Sequence, residues 1–364
     1  MFDSKHYIPI LKWKRAEQGA LTLLSKEHKK HITPLIQFVM SNYDPEDELE
    51  EIVQKYEGHL PEIPGKIIAA WGTIPIFIDV SLLFTTPTNP LKAKSLDVIS
   101  RNGYKLGGVF IPVIHLDDDP VIKTMAYSIA GDHGSGICLR LICPDFSEPN
   151  KLNRAIVKLM SDSGLKEKDI DLLVDIKETG ENENKYATYF NLSQTIPNLF
   201  KWRTFIFAGG AFPEDLSRCT IDEENLIPRI DWQNWNKLIT KRALLRKPAF
   251  ADYTIQYPIY KDITQFFPPT ASIKYTMENE WLIMKGQKQK YYQYLAHAAS
   301  LINDSRFYGE GFSFGDQYIS TKARHLPAYL NNPSIKGTGS TESWLKAGIN
   351  HHLTVVAHQI ANLP

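Results

Sequence analysis

Several features that define whole classes of protein are scarce or missing in this chain. Its 364 residues include three cysteines, Cys138, Cys143 and Cys219. That is too few for a disulfide framework, and their spacing is not that of a zinc site. A reduced, cytoplasmic compartment is the expectation. No run reaches the roughly 18 apolar residues that a membrane helix needs. The opening MFDSKHYIPILKWK lacks the apolar stretch of a secretory signal, so no membrane role is expected. Charge of one sign is not in excess, since 41 basic residues face 41 acidic ones. That balance argues against a general nucleic-acid coat or a polybasic membrane binder, though not against a local patch. The turn after the first apolar run, KWKRAEQG, carries neither G-x-G-x-x-G nor G-x-x-x-x-G-K. Dinucleotide and P-loop readings are therefore poor.

What the chain does contain is one pattern used repeatedly. A β-branched or aromatic run is followed by a polar turn and then by a helical stretch. The runs fall at 7–14, 32–39, 74–83, 109–116, 137–143, 170–177, 204–210 and 250–255. Between them lie helical segments at 16–30, 45–60, 91–103, 120–131, 150–164, around 186–199, and at 234–245. Alternating strands and helices imply a parallel sheet with right-handed crossovers. Eight such units fit a closed (β/α)8 TIM-like barrel better than the alternative, a doubly wound open sheet, and closure removes exposed sheet edges. The expected organisation is a single barrel domain over 1–364, with an inserted cap of hairpin, helix and loop over 256–340. The cap would hold a hairpin at 271–286, a helix at 288–304 and an ordered loop at 306–340, with a last helix at 340–362. Either of those two helices could serve as the eighth barrel helix, and the last is preferred.

Polar residues sit late in most of the strands. Lys12 and Lys14 share a face of the first, Gln37 lies on the second, and Asp79 is on the third. His115 ends the fourth, Arg140 lies within the fifth, Asp175 and Lys177 close the sixth, and Asp252 lies on the eighth. A lone charge in the dry layer between strands and helices costs several kcal/mol, by roughly the penalty for an unpaired buried ion. Charges at strand ends are best accommodated in the barrel mouth, where barrel enzymes build their sites. The candidate catalytic residues are Lys12, Glu17, Asp79, Arg140, Asp175 and Asp252. The candidate ligand-binding residues are Lys14, Gln37, His115, Lys177 and Asp316. Asp79, Asp175 and Asp252 together could hold Mg2+ or Mn2+, while Lys12 and Arg140 could bind an anion such as phosphate. That set suits metal-assisted or acid–base attack on a phosphodiester. It suits a carboxylate or nucleotide pocket equally well, and some of these residues could instead form structural ion pairs. KGQKQKYYQY (285–294) is a lesser candidate for single-stranded nucleic acid, with an exposed helix face as the plainer reading.

Four stretches carry a family resemblance: YIPILKWKRAEQGAL near the start, ITPLIQFV, FSFGDQYI at 312–319, and STESWLKAGINHHLTVVAHQIA at the end. Over nearly its full length the chain resembles the "beta protein" family of prophages and satellite phages. The resemblance implies an anti-phage role in company with a co-encoded defence protein. Carried over by motif, Lys12 and Glu17 match the family's opening K-x-x-x-x-E and Asp316 matches its aromatic-Gly-Asp stretch. Trp344, Gly348 and His352 match its closing helix. Where the resemblance leads one to expect a carboxylate, this chain has Gln37. Three functional classes are carried forward: a barrel with a nucleotide or phosphodiester site at its mouth, a non-catalytic partner that senses phage or restrains a co-encoded toxin or effector, and, ranked last because no glycine-rich phosphate turn follows the seventh strand except the short AGG, a housekeeping barrel enzyme of metabolism.

Overall fold

The computed structural model describes residues 2–40, 46–84, 90–180, 183–261, 269–334 and 336–363. In chain order the strands are β1 (Tyr7–Lys12), β2 (Leu35–Gln37), β3 (Ile76–Asp79), β4 (Phe110–Ile114), β5 (Ile137–Ile142) and β6 (Ile170–Glu178). They continue with β7 (Thr204–Gly210), β8 (Glu224–Pro228), β9 (Ala249–Asp252), β10 (Ile273–Thr276) and β11 (Glu280–Met284). Strands β1 to β7 and β9 form a closed parallel barrel. Closure is made by β9, which pairs with β7 through Ile206 and Ala249 and with β1 through Tyr7 and Phe250. The eight runs read from the sequence all supply barrel strands.

Side chains alternate between two dry layers, as a pleated strand requires. Ile8, Ile10, Leu35, Phe77, Val113, Leu173, Ile206, Ala249 and Ala251 pack together inside the lumen. Tyr7, Leu11, Ile36, Ile78, Leu139, Leu172, Phe207 and Phe250 face the helices. Each strand is buried on both faces, which is why the strands read as nearly continuous apolar runs.

A second, antiparallel sheet has the order β10-β11-β8. The hairpin expected at 271–286 supplies β10 and β11. Its third strand, β8, comes from the connection between β7 and β9, so the extra sheet is not drawn from 256–340 alone. The sequence reading missed β8 because ENLIP lies half in water and has only a weak apolar alternation. The loop expected at 306–340 is also corrected. It contains an 18-residue helix, Phe314–Asn331, capped by Ser313 Oγ accepting from the Asp316 amide. Gly315 and Pro327 made this segment look like a loop. Gly315 is needed because a Cβ there would stand 2.3 Å from the Ala347 carbonyl oxygen. The helix expected at 45–60 is seen as Leu49–His59; its opening position, 45, lies outside the described residues, as does 262–268 of the expected cap.

The final helix, Thr341–Ala361, packs against the first helix (Arg15–Thr22), β1 and β10. Asn350 Nδ2 donates to the Ala20 carbonyl at 3.0 Å. Gly348 permits this close seating: a Cβ would meet Ile255 Cδ1 at 2.8 Å and the Lys274 carbonyl oxygen at 3.0 Å. Gly348→Ala should gain about 1 kcal/mol of helix propensity and lose roughly 1–3 kcal/mol to overpacking. A lower urea midpoint is the expected result, and an unchanged or higher one would show that the seam has slack.

Candidate functional site at the barrel mouth

The lumen face carries one ion pair at its N-terminal end, Asp171 with Arg203 at 2.6 Å, and a larger charged group at the C-terminal end of the barrel. Arg140, fully buried on β5, is the centre of the group. Its Nη1 donates to Asp79 Oδ2. Its Nε and Nη2 reach Asp175 Oδ2 at 3.1 and 2.6 Å, and Nη2 also reaches the Tyr253 hydroxyl at 2.7 Å. Tyr253 in turn donates to Asp175 Oδ2 at 2.7 Å. Ser81 N donates to Asp79 Oδ1 at 2.8 Å, and Gln37 Nε2 lies 3.4 Å from Asp79 Oδ2. Burial alone would raise both carboxyl pKa values. For Asp79 the opposing pull of Arg140 wins and holds it down to about 2. For Asp175 it is Lys177 and Arg140 that win. The three charges therefore stay ionised as a fixed structural triad.

Lys177 reaches the mouth through a distortion of β6. The β6–β7 register shifts between Asp175 and Glu178, and Lys177 takes the left-handed backbone conformation, φ 56°. Such a conformation in a non-glycine residue costs on the order of 1–3 kcal/mol and gathers at functional sites. The bulge is stapled by Lys185 Nζ, which donates to the carbonyls of Ile176 and Glu178 at 3.1 and 2.5 Å. The result is a Lys177 ammonium 3.3 Å from Asp175 Oδ2 and 5.7 Å above the Tyr253 ring. The run DIDLLVDIKE ends in a carboxylate and an ammonium because both project into this opening.

A second group lies where β1 meets the first helix. Lys12, buried at the end of β1, donates to the Tyr257 carbonyl at 3.2 Å. Lys12 and Lys14 lie 5.9 and 5.1 Å from the centre of the Tyr260 ring. Glu17 is 1% exposed. Its Oε1 accepts from Gln256 Nε2 at 2.6 Å, while Oε2 is buried without a partner among the described residues. Burial raises the Glu17 pKa. Burial lowers Lys12 to about 8, an effect opposed by Glu17 and reinforced by Lys14, Lys177 and Arg140.

His115 completes the rim. Its backbone amide donates to Asp118 Oδ2 at 2.7 Å. Its Nε2 is buried without a hydrogen bond to any described residue and stands 4.0 Å from Asp79 Oδ2. Desolvation pushes its pKa down to about 4 despite Asp79, so the ring is neutral at neutral pH. Asp118 is raised to about 6, first by burial and then by Asp79 and Asp117.

The structure thus brings Lys12, Lys14, Glu17, Gln37, Asp79, His115, Arg140, Asp175 and Lys177 to one end of the barrel. It does not bring Asp252 or Asp316 there. Asp252 lies on the helix-facing side of β9, where it accepts from the Tyr7 hydroxyl at 2.5 Å and bonds His352 Nε2 at 2.9 Å. It is Tyr253, at the next position, that enters the lumen, so the face assigned to Asp252 from the alternation is inverted. Asp316 sits beside the extra sheet and is fully used by Tyr275, Ser313 and His351 at 2.8, 2.5 and 2.8 Å. The expected three-carboxylate metal set is therefore not assembled, and no group of three or more His, Cys, Asp or Glu residues among those described is arranged to hold a metal. Arg140, expected to bind an anion, is occupied by protein acceptors. Tyr253 and Tyr260 are outside the residues expected from the sequence. For Tyr253 a signal was present: the small Ala249 and Ala251, two apart, mark the crowded lumen face.

A closed ring of eight parallel strands with helices around it, and a cluster of ionic groups at the C-terminal rim, defines a TIM-like α/β barrel protein. The chain belongs to the Beta protein family, whose model matches residues 7–358. A comparison with curated proteins finds no match. No helix among the described residues is long and apolar enough to cross a membrane.

Proposed function

We propose that the barrel mouth binds a small phosphate-bearing ligand, nucleotides included, and performs acid–base chemistry on it. The observation that carries this reading is a pair of buried polar atoms, Glu17 Oε2 and His115 Nε2, without a partner among the described residues, at an opening where Lys12, Lys14 and Lys177 outnumber the described carboxylates left over from Arg140. Unsatisfied buried polar atoms are costly and rare, and a ligand is one way to satisfy them. The three ammonium groups would neutralise phosphate oxygens. Neutral His115 would accept a proton from an attacking hydroxyl, and Glu17, whose pKa burial raises, would be the acid toward a leaving oxygen. Asp79 and Asp175 are held by Arg140 and Asp252 faces away, so no step is routed through Mg2+ or Mn2+.

A second reading has its own support. Three of the most buried ionic residues, Arg140, Asp79 and Asp175, bond to one another rather than toward a ligand. That suits a non-catalytic barrel acting with a co-encoded defence protein, the role the family resemblance implies.

Thermal denaturation with inorganic phosphate and nucleoside mono-, di- and triphosphates separates the two. On the first reading the melting temperature rises saturably, by the equivalent of about 2.7 kcal/mol at a hundredfold excess over Kd. Lys177→Met should then weaken binding at least about tenfold, the loss of one charge-assisted contact. No shift at millimolar ligand, together with stable co-purification of a neighbouring gene product, would favour the second reading and end the first.

A further inference from the structure

Lys12 is an unusual lysine. It is 8% exposed, and its ammonium has no carboxylate within ion-pair distance among the described residues. Among the described residues its ammonium meets the Tyr257 carbonyl at 3.2 Å and the Tyr260 ring. A buried cation is normally paired. Here the neighbouring charges that act on it include three other cations, Lys14, Lys177 and Arg140. Like charge and desolvation are the two devices that free a lysine amine for nucleophilic attack. A carboxyl group stands next along the chain, for Glu17 is buried in the first turn of the following helix with one oxygen unpartnered.

We propose that Lys12 is an imine-forming nucleophile and that the ligand of the barrel mouth is a phosphorylated aldehyde or ketone, for which an open-chain sugar phosphate is the simplest example. The proposal rests on the mouth being a phosphate site and names the substrate class for it. The lone pair of the Lys12 amine adds to the carbonyl carbon while the C=O π pair moves to oxygen, which takes a proton from Glu17. Nitrogen loses a proton to the Glu17 carboxylate, and the carbinolamine hydroxyl is then protonated and leaves as water. One C=N bond replaces one C=O bond, one proton is taken up from solvent in forming the iminium, and nothing is oxidised or reduced. Lys14 and Lys177 hold the phosphate. The depressed Lys12 pKa, about 8, agrees with this role. Roughly a tenth of the amine is free base at pH 7, against less than a thousandth for an ordinary lysine.

Lys274 is the internal comparison. It too is lowered to about 8 by burial, but it stands against Phe212 and the Ile255 carbonyl, with no carboxylate at ion-pair distance among the described residues. Burial alone would make both lysines reactive, whereas the proposal singles out Lys12.

The test is borohydride trapping on the full chain. The protein is incubated with pyridoxal 5′-phosphate, or with pyridoxal lacking the phosphate, then reduced and mapped by peptide mass spectrometry. The expected result is labelling of Lys12 at least tenfold faster than Lys274 or any surface lysine, with a rate that rises with pH through about 8. The label should vanish in Lys12→Arg, fall at least fivefold in Glu17→Gln, and be slowed by inorganic phosphate. Labelling scattered over surface lysines, or Lys274 reacting as fast as Lys12, overturns the proposal. If Lys12 reacts with pyridoxal as readily as with its phosphate and phosphate gives no protection, the phosphate site fails while the nucleophile stands. If phosphate raises the melting temperature and Lys12 stays unlabelled, the nucleophile alone fails.

Discussion

Arg140→Met is expected to destabilise the protein by about 3–5 kcal/mol, the usual cost of removing one partner from a buried ionic group. Asp79 and Asp175 are 1% and 0% exposed, and the guanidinium lies between them. Without it both carboxylates remain in a site that burial makes unfavourable for charge. The pH dependence distinguishes this from a simple packing defect. In the wild type the two carboxyl pKa values lie below the ordinary 3.8, with Asp79 near 2. Their contribution is therefore present above pH 4 and is lost as pH falls through the folded values. In the variant burial is opposed only by the remaining partners, Lys177 and Tyr253 at Asp175 and His115 and Ser81 at Asp79, and the pKa values rise. The variant then gains relative stability on acidification, and the gap to wild type narrows from pH 6 to pH 4. Urea denaturation across that range is the measurement. Adding Asp79→Asn and Asp175→Asn to Arg140→Met should recover part of the loss. A gap independent of pH would mean that Arg140 acts through its volume and not its charge.

The second large effect belongs to the helix-facing side of β9. Asp252 accepts from the Tyr7 hydroxyl, bonds His352 and accepts from the Thr254 amide at 2.5, 2.9 and 2.9 Å. Asp252→Ala leaves these buried groups unsatisfied and should cost on the order of 3 kcal/mol or more. Asp231, fully buried nearby, accepts from the amides of Ala211 and Trp232 at 3.1 and 2.8 Å. Burial first, and then the charge of Asp252, raises its pKa to about 7. Asp252 keeps the charge because His352 and Tyr7 stabilise it. A group raised in the folded state stabilises fully below its unfolded value, near 3.8, and that stability is lost as pH rises through the folded value. Wild-type stability should therefore decline between pH 5 and 8. Asp231→Asn should flatten that slope, starting about 1–2 kcal/mol below wild type at pH 5 because one backbone donor loses its acceptor, and closing the difference by pH 8. An unaltered slope would place the titration elsewhere.

The barrel was readable because its strands are buried on both sides. Continuous apolar runs separated by polar turns leave few alternatives, and the missing glycine-rich turn disfavours the open-sheet rival. The mouth was readable for Arg140, Asp79, Asp175 and Lys177 because strand-end charges have one inexpensive place to go. Asp252 was misplaced for a specific reason: the helix-facing layer can also hold a charge when another element brings its partner, and His352 comes from a helix 100 residues further on. No local pattern reveals that pairing, although a histidine on the buried side of a helix was the available hint. β8 and the helix at Phe314–Asn331 escaped because their stability comes from tertiary contact. β8 is ordered by pairing with β11, and Gly315 is selected by the close approach of Ala347.

The pairing of Tyr7 with Phe250 has a consequence for synthesis. The first strand leaves the ribosome about 240 residues before the strand that completes its ladder, and the helix that roofs the seam follows later still. Until then β1 presents an unpaired edge, the kind that recruits other chains. Ring closure must therefore await synthesis through Asp252, and a chain truncated before Ala249 should emerge as an open, adhesive seven-stranded sheet that is degraded or aggregates.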